Sequence, residues 1–311
     1  LQIWHIYVVS ILAGFFTAFQ YPAYTAAVTT MLSKDDYVRA EGMLGSGRAL
    51  SGILAPVFAA ALLGVVGLNG IMVIDLATFL FAFGTLLFIH IPQPERTETG
   101  LQNKGTFWQD VSFGFRYINS IRSLRALTFL FMAAGLFLAI GATLIAPLVL
   151  GGTGNNESAL ATVQSTGAVG GIVGGVLLSL WGGTRRRIHT ILIGGVGACL
   201  LGIVWLGLGK VVLIWAIGSF FFSFFEPFVE GGNIAIWQTK VPADVQGRVF
   251  SARHLLVQVP YLFGILIAGY LAEAVTISKL LTVAGIAGAL IFVFYYFVRD
   301  VRDVETLLPD V

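Results

Sequence analysis

Nine runs of predominantly apolar residues follow one another along this chain, near 3–31, 49–67, 70–90, 126–150, 158–182, 190–208, 211–238, 255–272 and 280–298. Each is long enough to cross ~30 Å of hydrocarbon as a helix. Inside lipid every backbone polar group must be satisfied within the chain, so only helices or a closed barrel can span, and uninterrupted runs of this length select helices. Composition closes off a soluble alternative: 57% of the 311 residues are hydrophobic and 11% are charged, where a soluble domain carries about a quarter charged residues. The expected fold is all-α, a multi-pass transmembrane helix bundle.

The basic residues assign the sides of that bundle. Alternating the runs across a membrane puts Lys34, Arg39, Arg48, Arg96, Lys104, Arg116, Arg122, Arg125, Arg185, Arg186, Arg187, Lys240, Arg248, Arg253, Arg299 and Arg302 on one face and only Lys210 and Lys279 on the other. The side richer in Lys and Arg is cytoplasmic by the positive-inside rule, so the C-terminus is expected in the cytoplasm. Nine spans then put the N-terminus outside, although no signal peptide precedes the first run. An odd number of further helices upstream would account for this. Apart from Arg185–Arg187 there is no basic tract, and nucleic acid is not an expected partner. Cys199 stands alone in an apolar run, which excludes a disulfide or a cysteine metal framework and reads as a small buried hydrophobe.

An internal comparison points the same way. Pro22, Arg39 and Pro56 match Pro227, Arg248 and Pro260 at offsets of 205, 209 and 204 residues, a repeat of the kind found in transporters built from two related halves. The half from about residue 126 onward holds six runs and the half before it three. The simplest organisation is about nine of twelve helices: a partial first bundle over 1–91, a connecting segment over 92–125, a second bundle over 126–298 and a cytoplasmic tail over 299–311. Within the connecting segment Phe107, Val111, Phe115 and Ile118 recur at helical spacing beside Trp108, which predicts an amphipathic helix lying at the membrane interface or packed on other loops.

Carboxylates inside an apolar run are costly and by default mark a proton or substrate path. The stretch SFFFSFFEPFVEGGN (219–233) holds two, Glu226 and Glu230, one helical turn apart on one face with Pro227 between them. Proton coupling or substrate binding competes there with a structural hydrogen bond to a neighbouring helix. Gly231 and Gly232 are expected to loosen the helix below. Asp75, the other acid within a run, reads as a structural partner.

Five stretches carry a resemblance to a known family: LQIWHIYVVSILAGFFTAFQYPAY at the start, RAEG at 39–42, IDLATFLFAFGTLLFIHIP at 74–92, FWQDVSFGFRYINSIRSLRAL at 107–127 and VPADVQGRVFSAR at 241–253. The chain resembles the major facilitator superfamily, in its bacterial branch of macrolide efflux proteins and enterobactin exporters, aligned with a member's fourth to twelfth helices and lacking the first three. The resemblance implies that the first, fourth and seventh runs line a central cavity. It makes Gln20, Tyr21, Tyr24, Asn233 and Trp237 candidate cavity-lining residues and Glu226 and Glu230 candidates for proton coupling or substrate binding. The family's antiporter motif falls on Ser51, Ala55, Pro56, Ala59 and Ala60, where each glycine is replaced by another small residue. Its loop motif falls on GGVLLSLWGGTRRR (174–187), with Ser179 or Trp181 at the Asp position, leaving close packing through Gly174 and Gly182 and a cationic anchor at Arg185, Arg186 and Arg187. Arg39 and Arg248 head the matched turns and could form a gate with Asp36, Glu41 or Asp244, or serve as simple anchors.

No HExxH, Walker loop or GxSxG and no Cys/His cluster occurs in the sequence, so an enzyme, a metal site and a cofactor are not expected. The resulting expectation is a bacterial inner-membrane secondary transporter, exporting a drug-like amphipathic molecule in exchange for protons by alternating access, as a monomer in the bilayer. Export of a siderophore or a lysophospholipid, or a scaffold or sensor that keeps the fold without transport, are the alternatives.

Overall fold

A computed structural model describes residues 3–88 and 107–306. They form α1 (Ile3–Met31), α2 (Tyr37–Phe88), α3 (Phe107–Ser120), α4 (Arg122–Gly152), α5 (Glu157–Trp181), α6 (Arg187–Leu208), α7 (Val212–Lys240), α8 (Gln246–Ala274), α9 (Ile277–Phe297) and the single turn α10 (Arg299–Arg302). Among the described residues there is no strand, and seven stretches are long and apolar enough to cross a membrane: Leu62–Phe88 of α2 and each of α4 to α9. The predicted run at 3–31 coincides with α1, and the run at 49–67 lies within α2 before its break, both helical.

Helix α2 covers two predicted runs, and its backbone leaves helical geometry between them at one residue, Gly67, with φ +66°. A side chain there would be strained, so glycine sets where the two runs part. Helix α5 is bounded by local chemistry. The Asn156 side chain accepts a hydrogen bond from the Ala159 N–H at 3.1 Å at its start, and Gly182, left-handed at φ +77°, donates its N–H to the Leu178 carbonyl at its end.

The main core lies among α3 to α9 and includes Leu124, Leu127, Val163, Ile191, Cys199, Ile203, Leu281 and Phe292. A smaller cluster of Tyr37, Val38, Leu178, Phe228 and Ala235 joins the start of α2 to α5 and α7. There the helices come close because their facing residues are small. Any Cβ at Gly42 would lie 2.7 Å from the Gly175 carbonyl oxygen, and one at Gly171 would lie 3.1 Å from Ala49 Cβ. The Ser46 hydroxyl donates to the Ile172 carbonyl at 3.3 Å across the same seam. Gly174 backs onto the Phe224 carbonyl of α7. Association through small residues is the expected solution in lipid, where burial of apolar surface supplies no drive between helices.

Helix α3 falls where the periodicity put it, but its buried seam runs through Phe113, Gly114 and Ile118, while Phe115 is half-buried. Gly114 sets this register: a Cβ there would lie 2.6 Å from Ala252 Cβ of α8. The Arg248 guanidinium sits 5.1 Å over the Phe113 ring. Burial, with Asp244 nearby, pushes the Tyr117 phenol up to about 12. This helix packs on protein; the side chains of 107–111 lie outside the described residues.

Candidate transport site

Glu226 stands at the middle of α7, fourteen residues from Val212 and fourteen from Lys240, which is ~21 Å from either end. The apolar run makes the helix and sets this depth. Pro227, next along, has no N–H to offer the Ser223 carbonyl one turn back, so an acceptor is left beside the acid. Glu226, Pro227 and Ser223 all border a cavity of about 340 Å³ enclosed by α2, α5 and α7. Glu41, Gly45, Arg48 and Ala49 close it from α2, and Gly167, Ala168 and Gly171 from α5. Glu230 borders it too, and accepts from the Asn233 amide at 3.4 Å.

A second cavity, of about 540 Å³, lies on the other side of Glu230. Gly14 and Thr17 of α1, Phe131 of α4, and Arg253, His254, Val257 and Gln258 of α8 complete its lining. Glu230 is therefore part of the wall between the two spaces.

Arg48 and Glu41 join this site although their positions near the start of an apolar run do not mark them for it. They form an ion pair at 3.4 Å, with Glu41 buried and Arg48 more than half exposed. Seven residues apart, they share one face of α2, and Gly45 between them lies 3.4 Å from Pro227 measured from its Cβ position. That spacing, together with the small residues Gly42, Ser46 and Ala49 on adjoining positions, was the available signal. It was masked because an arginine near the end of an apolar run also satisfies the positive-inside rule. Three carboxylates and one guanidinium now face a single cavity. Protons or a cationic ligand can balance the excess of acid, and either would change the attraction across the α2–α7 seam.

The other predicted positions are dispersed. Asn233 and Trp237 are fully buried, and Trp237 carries the Arg253 guanidinium 5.4 Å from its ring. Gln20 and Tyr24 are exposed on α1, and the Tyr21 side chain lies outside the described residues. Ser51 and Ala55 are exposed, while the side chains of Pro56, Ala59 and Ala60 lie outside the described residues; α2 makes its close approach nearer its start, at Gly42, Ser46 and Ala49. Gly231 and Gly232 let neighbours approach: Cβ positions there would lie 3.0 Å from Leu178 and 2.8 Å from Ile191. The Asp75 side chain is exposed.

The arginine triplet divides its work. Arg187 donates to the Ala235 carbonyl at 3.0 Å, to the Thr239 hydroxyl and, across to the turn after α1, to the Lys34 carbonyl. Arg186 faces Asp303 at 3.8 Å, and Arg185 is exposed. Arg39 makes no ion pair among the described residues. It lies over Gly182, while Asp36 accepts from Ser33 and Glu41 is taken by Arg48. Ser179 backs onto Gly42 of α2.

Comparison with known proteins agrees with this architecture. Residues 1–264 match the Major Facilitator Superfamily. Macrolide efflux protein A of Streptococcus pyogenes is 22% identical over 311 residues, covering 98% of this chain and 75% of that protein. Macrolide efflux protein A of Enterococcus faecalis is 26% identical over 257 residues, covering 81% of this chain and 77% of that protein. With apolar helices of spanning length, glycine-packed around acid-lined cavities, and a family match over most of its length, the chain belongs to the major facilitator superfamily and is a multi-pass bacterial membrane transporter, not an enzyme.

Proposed function

We propose that this transporter exports amphipathic drug-like molecules in exchange for protons, with Glu226 as the proton-exchanging group and Glu230 as its assistant. The observation that carries the reading is Glu230 standing between two cavities, the smaller shared with Glu226 and Arg48 and the larger walled by α1, α4 and α8. The smaller space suits water and protons, and the larger an organic ligand. A proton arriving on either acid changes the charge that a ligand meets in the neighbouring space, which is the coupling an exchanger needs. Residues 1–91 and 126–298 act as the two bodies that rock about these cavities. The connecting segment over 92–125 and the tail over 299–311 lie in the cytoplasm, as the arginine distribution favours. The names of its relatives make macrolides the first substrates to test.

The test uses full-length protein in proteoliposomes with an imposed proton gradient and a labelled macrolide. Glu226→Gln is expected to reduce gradient-driven transport to the passive leak while gradient-independent exchange of labelled for unlabelled macrolide persists. Unchanged gradient-driven transport by a normally folded Glu226→Gln protein would overturn the assignment.

A further inference from the structure

A third cavity, larger than the two described above, is lined by neither acid. It is a groove of about 840 Å³ on the outer surface, between α6 and α9. Ile193, Leu200 and Leu201 form one wall, Val293 and Phe297 the other, and Phe225 of α7 the floor. The floor is exposed to the groove because Gly197 has no side chain: a Cβ there would lie 2.6 Å from the Phe225 ring. At one end α6 widens into π-helix over Ala198–Val204, a distortion that often marks functional sites. At the other end Thr184, His189 and Tyr296 line the mouth, with the His189 and Tyr296 rings 6.2 Å apart.

We propose that this groove holds an acyl chain of an anionic phospholipid whose phosphate is bound by the arginines at its mouth. Length is the first argument. From His189 to Leu201 is twelve residues, ~18 Å of helix, close to half of the ~30 Å hydrocarbon thickness. The groove is one leaflet deep, and the orientation proposed above makes that the inner leaflet.

Charge is the second argument. Arg185 and Arg186 precede α6, and Arg299 and Arg302 follow α9, so both walls end in guanidiniums. Arg186, Arg299 and Arg302 all lean on one carboxylate, Asp303, at 3.8, 3.9 and 3.5 Å. Asp303 is the carboxylate that three of these arginines meet among the described residues, and the four guanidiniums outnumber the acids of this end, Asp300, Asp303 and Glu305. Glu305 is engaged elsewhere: its side chain accepts from the Ile188 N–H and its carbonyl from Lys240, while Arg187 is held by α7 and Lys34. Arg186 and Arg299 keep half or more of their side-chain surface open and can present donors to a phosphate. Basic pockets between helices on the cytoplasmic side are a recurring way of holding such headgroups.

Native mass spectrometry of the full-length protein released from nanodiscs of equal phosphatidylglycerol and phosphatidylcholine tests this. Both lipids carry a phosphate but only phosphatidylglycerol is net negative, so its retention should exceed that of phosphatidylcholine by about 5- to 30-fold, as the attraction of one or two arginines for a headgroup with no balancing choline cation provides. The preference should vanish in Arg186→Gln/Arg299→Gln, and the lipid itself in Val196→Trp, since Val196 of α6 also lines the groove. Glycerol phosphate, lacking chains, should not displace it. Equal retention of the two lipids, full retention in Val196→Trp, or displacement by glycerol phosphate would each overturn the proposal. Since the readout is bound lipid, it stands apart from the macrolide and proton assignments.

Discussion

Arg48 is where the candidate site and the joint between helices meet. Its guanidinium is more than half exposed, so the Glu41 pair should be worth only about 1 kcal/mol in a double-mutant cycle. Removing Arg48 alone strands a buried carboxylate, which costs more, about 1–3 kcal/mol. We therefore expect Arg48→Gln to lower thermal stability in detergent and Arg48→Gln/Glu41→Gln to recover part of the loss. Additive losses in the cycle would show that the pair is incidental. The two α7 acids were legible in the sequence because a charge in a phenylalanine-rich run is too costly to stand without a specific role, in transport or as a structural hydrogen bond. Arg48 was not, because at the end of a run an arginine has a generic explanation. Asn233 and Trp237 carried the opposite ambiguity: a polar or aromatic residue beside an acid suits a cavity or a core equally, and only packing decides.

At the scale of elements, helix limits were readable because apolar length and breakers set them. The 211–238 run became Val212–Lys240, and the division near 67–70 became the Gly67 break. Contacts between helices were less readable, since a small residue does not announce its partner. Gly42 and Gly47 make the point, five residues apart on α2. Gly42 meets the Gly175 carbonyl and the Ser179 backbone, whereas nothing lies within 4 Å of a Cβ at Gly47. Gly42→Ala should destabilise by about 1–3 kcal/mol, the cost of overpacking against backbone that cannot give way. Gly47→Ala should be neutral or stabilise by about 0.5–1 kcal/mol through helix propensity. Comparing the two unfolding midpoints under one set of detergent conditions checks this, and equal shifts would mean that α2 does not seat on α5 in this register.

At the scale of the whole molecule, alternating access requires that some close contact between the two proposed bodies be temporary. The α2–α5 seam is the natural candidate, because it closes one side of the acid-lined cavity and is built from residues small enough to part without leaving large voids. Ala49 Cβ and the Cβ position of Gly171 are 3.1 Å apart across it, a few tenths of an ångström short of the ~3.5–4.5 Å range of disulfides, so a small outward shift of the helices brings the pair into range. With the buried Cys199 replaced by Ala, the pair Ala49→Cys/Gly171→Cys in the full-length protein should cross-link on mild oxidation. Transport in proteoliposomes should stop and then return on reduction. If the contact parts during each cycle, substrate or a proton gradient should also change the rate of cross-linking, since each biases the population of the closed state. Full transport by the quantitatively cross-linked protein would place the moving joint elsewhere and make α2 and α5 one rigid unit. The acid-lined cavity would then be a fixed chamber, and any opening would have to occur on the α1–α8 side of Glu230.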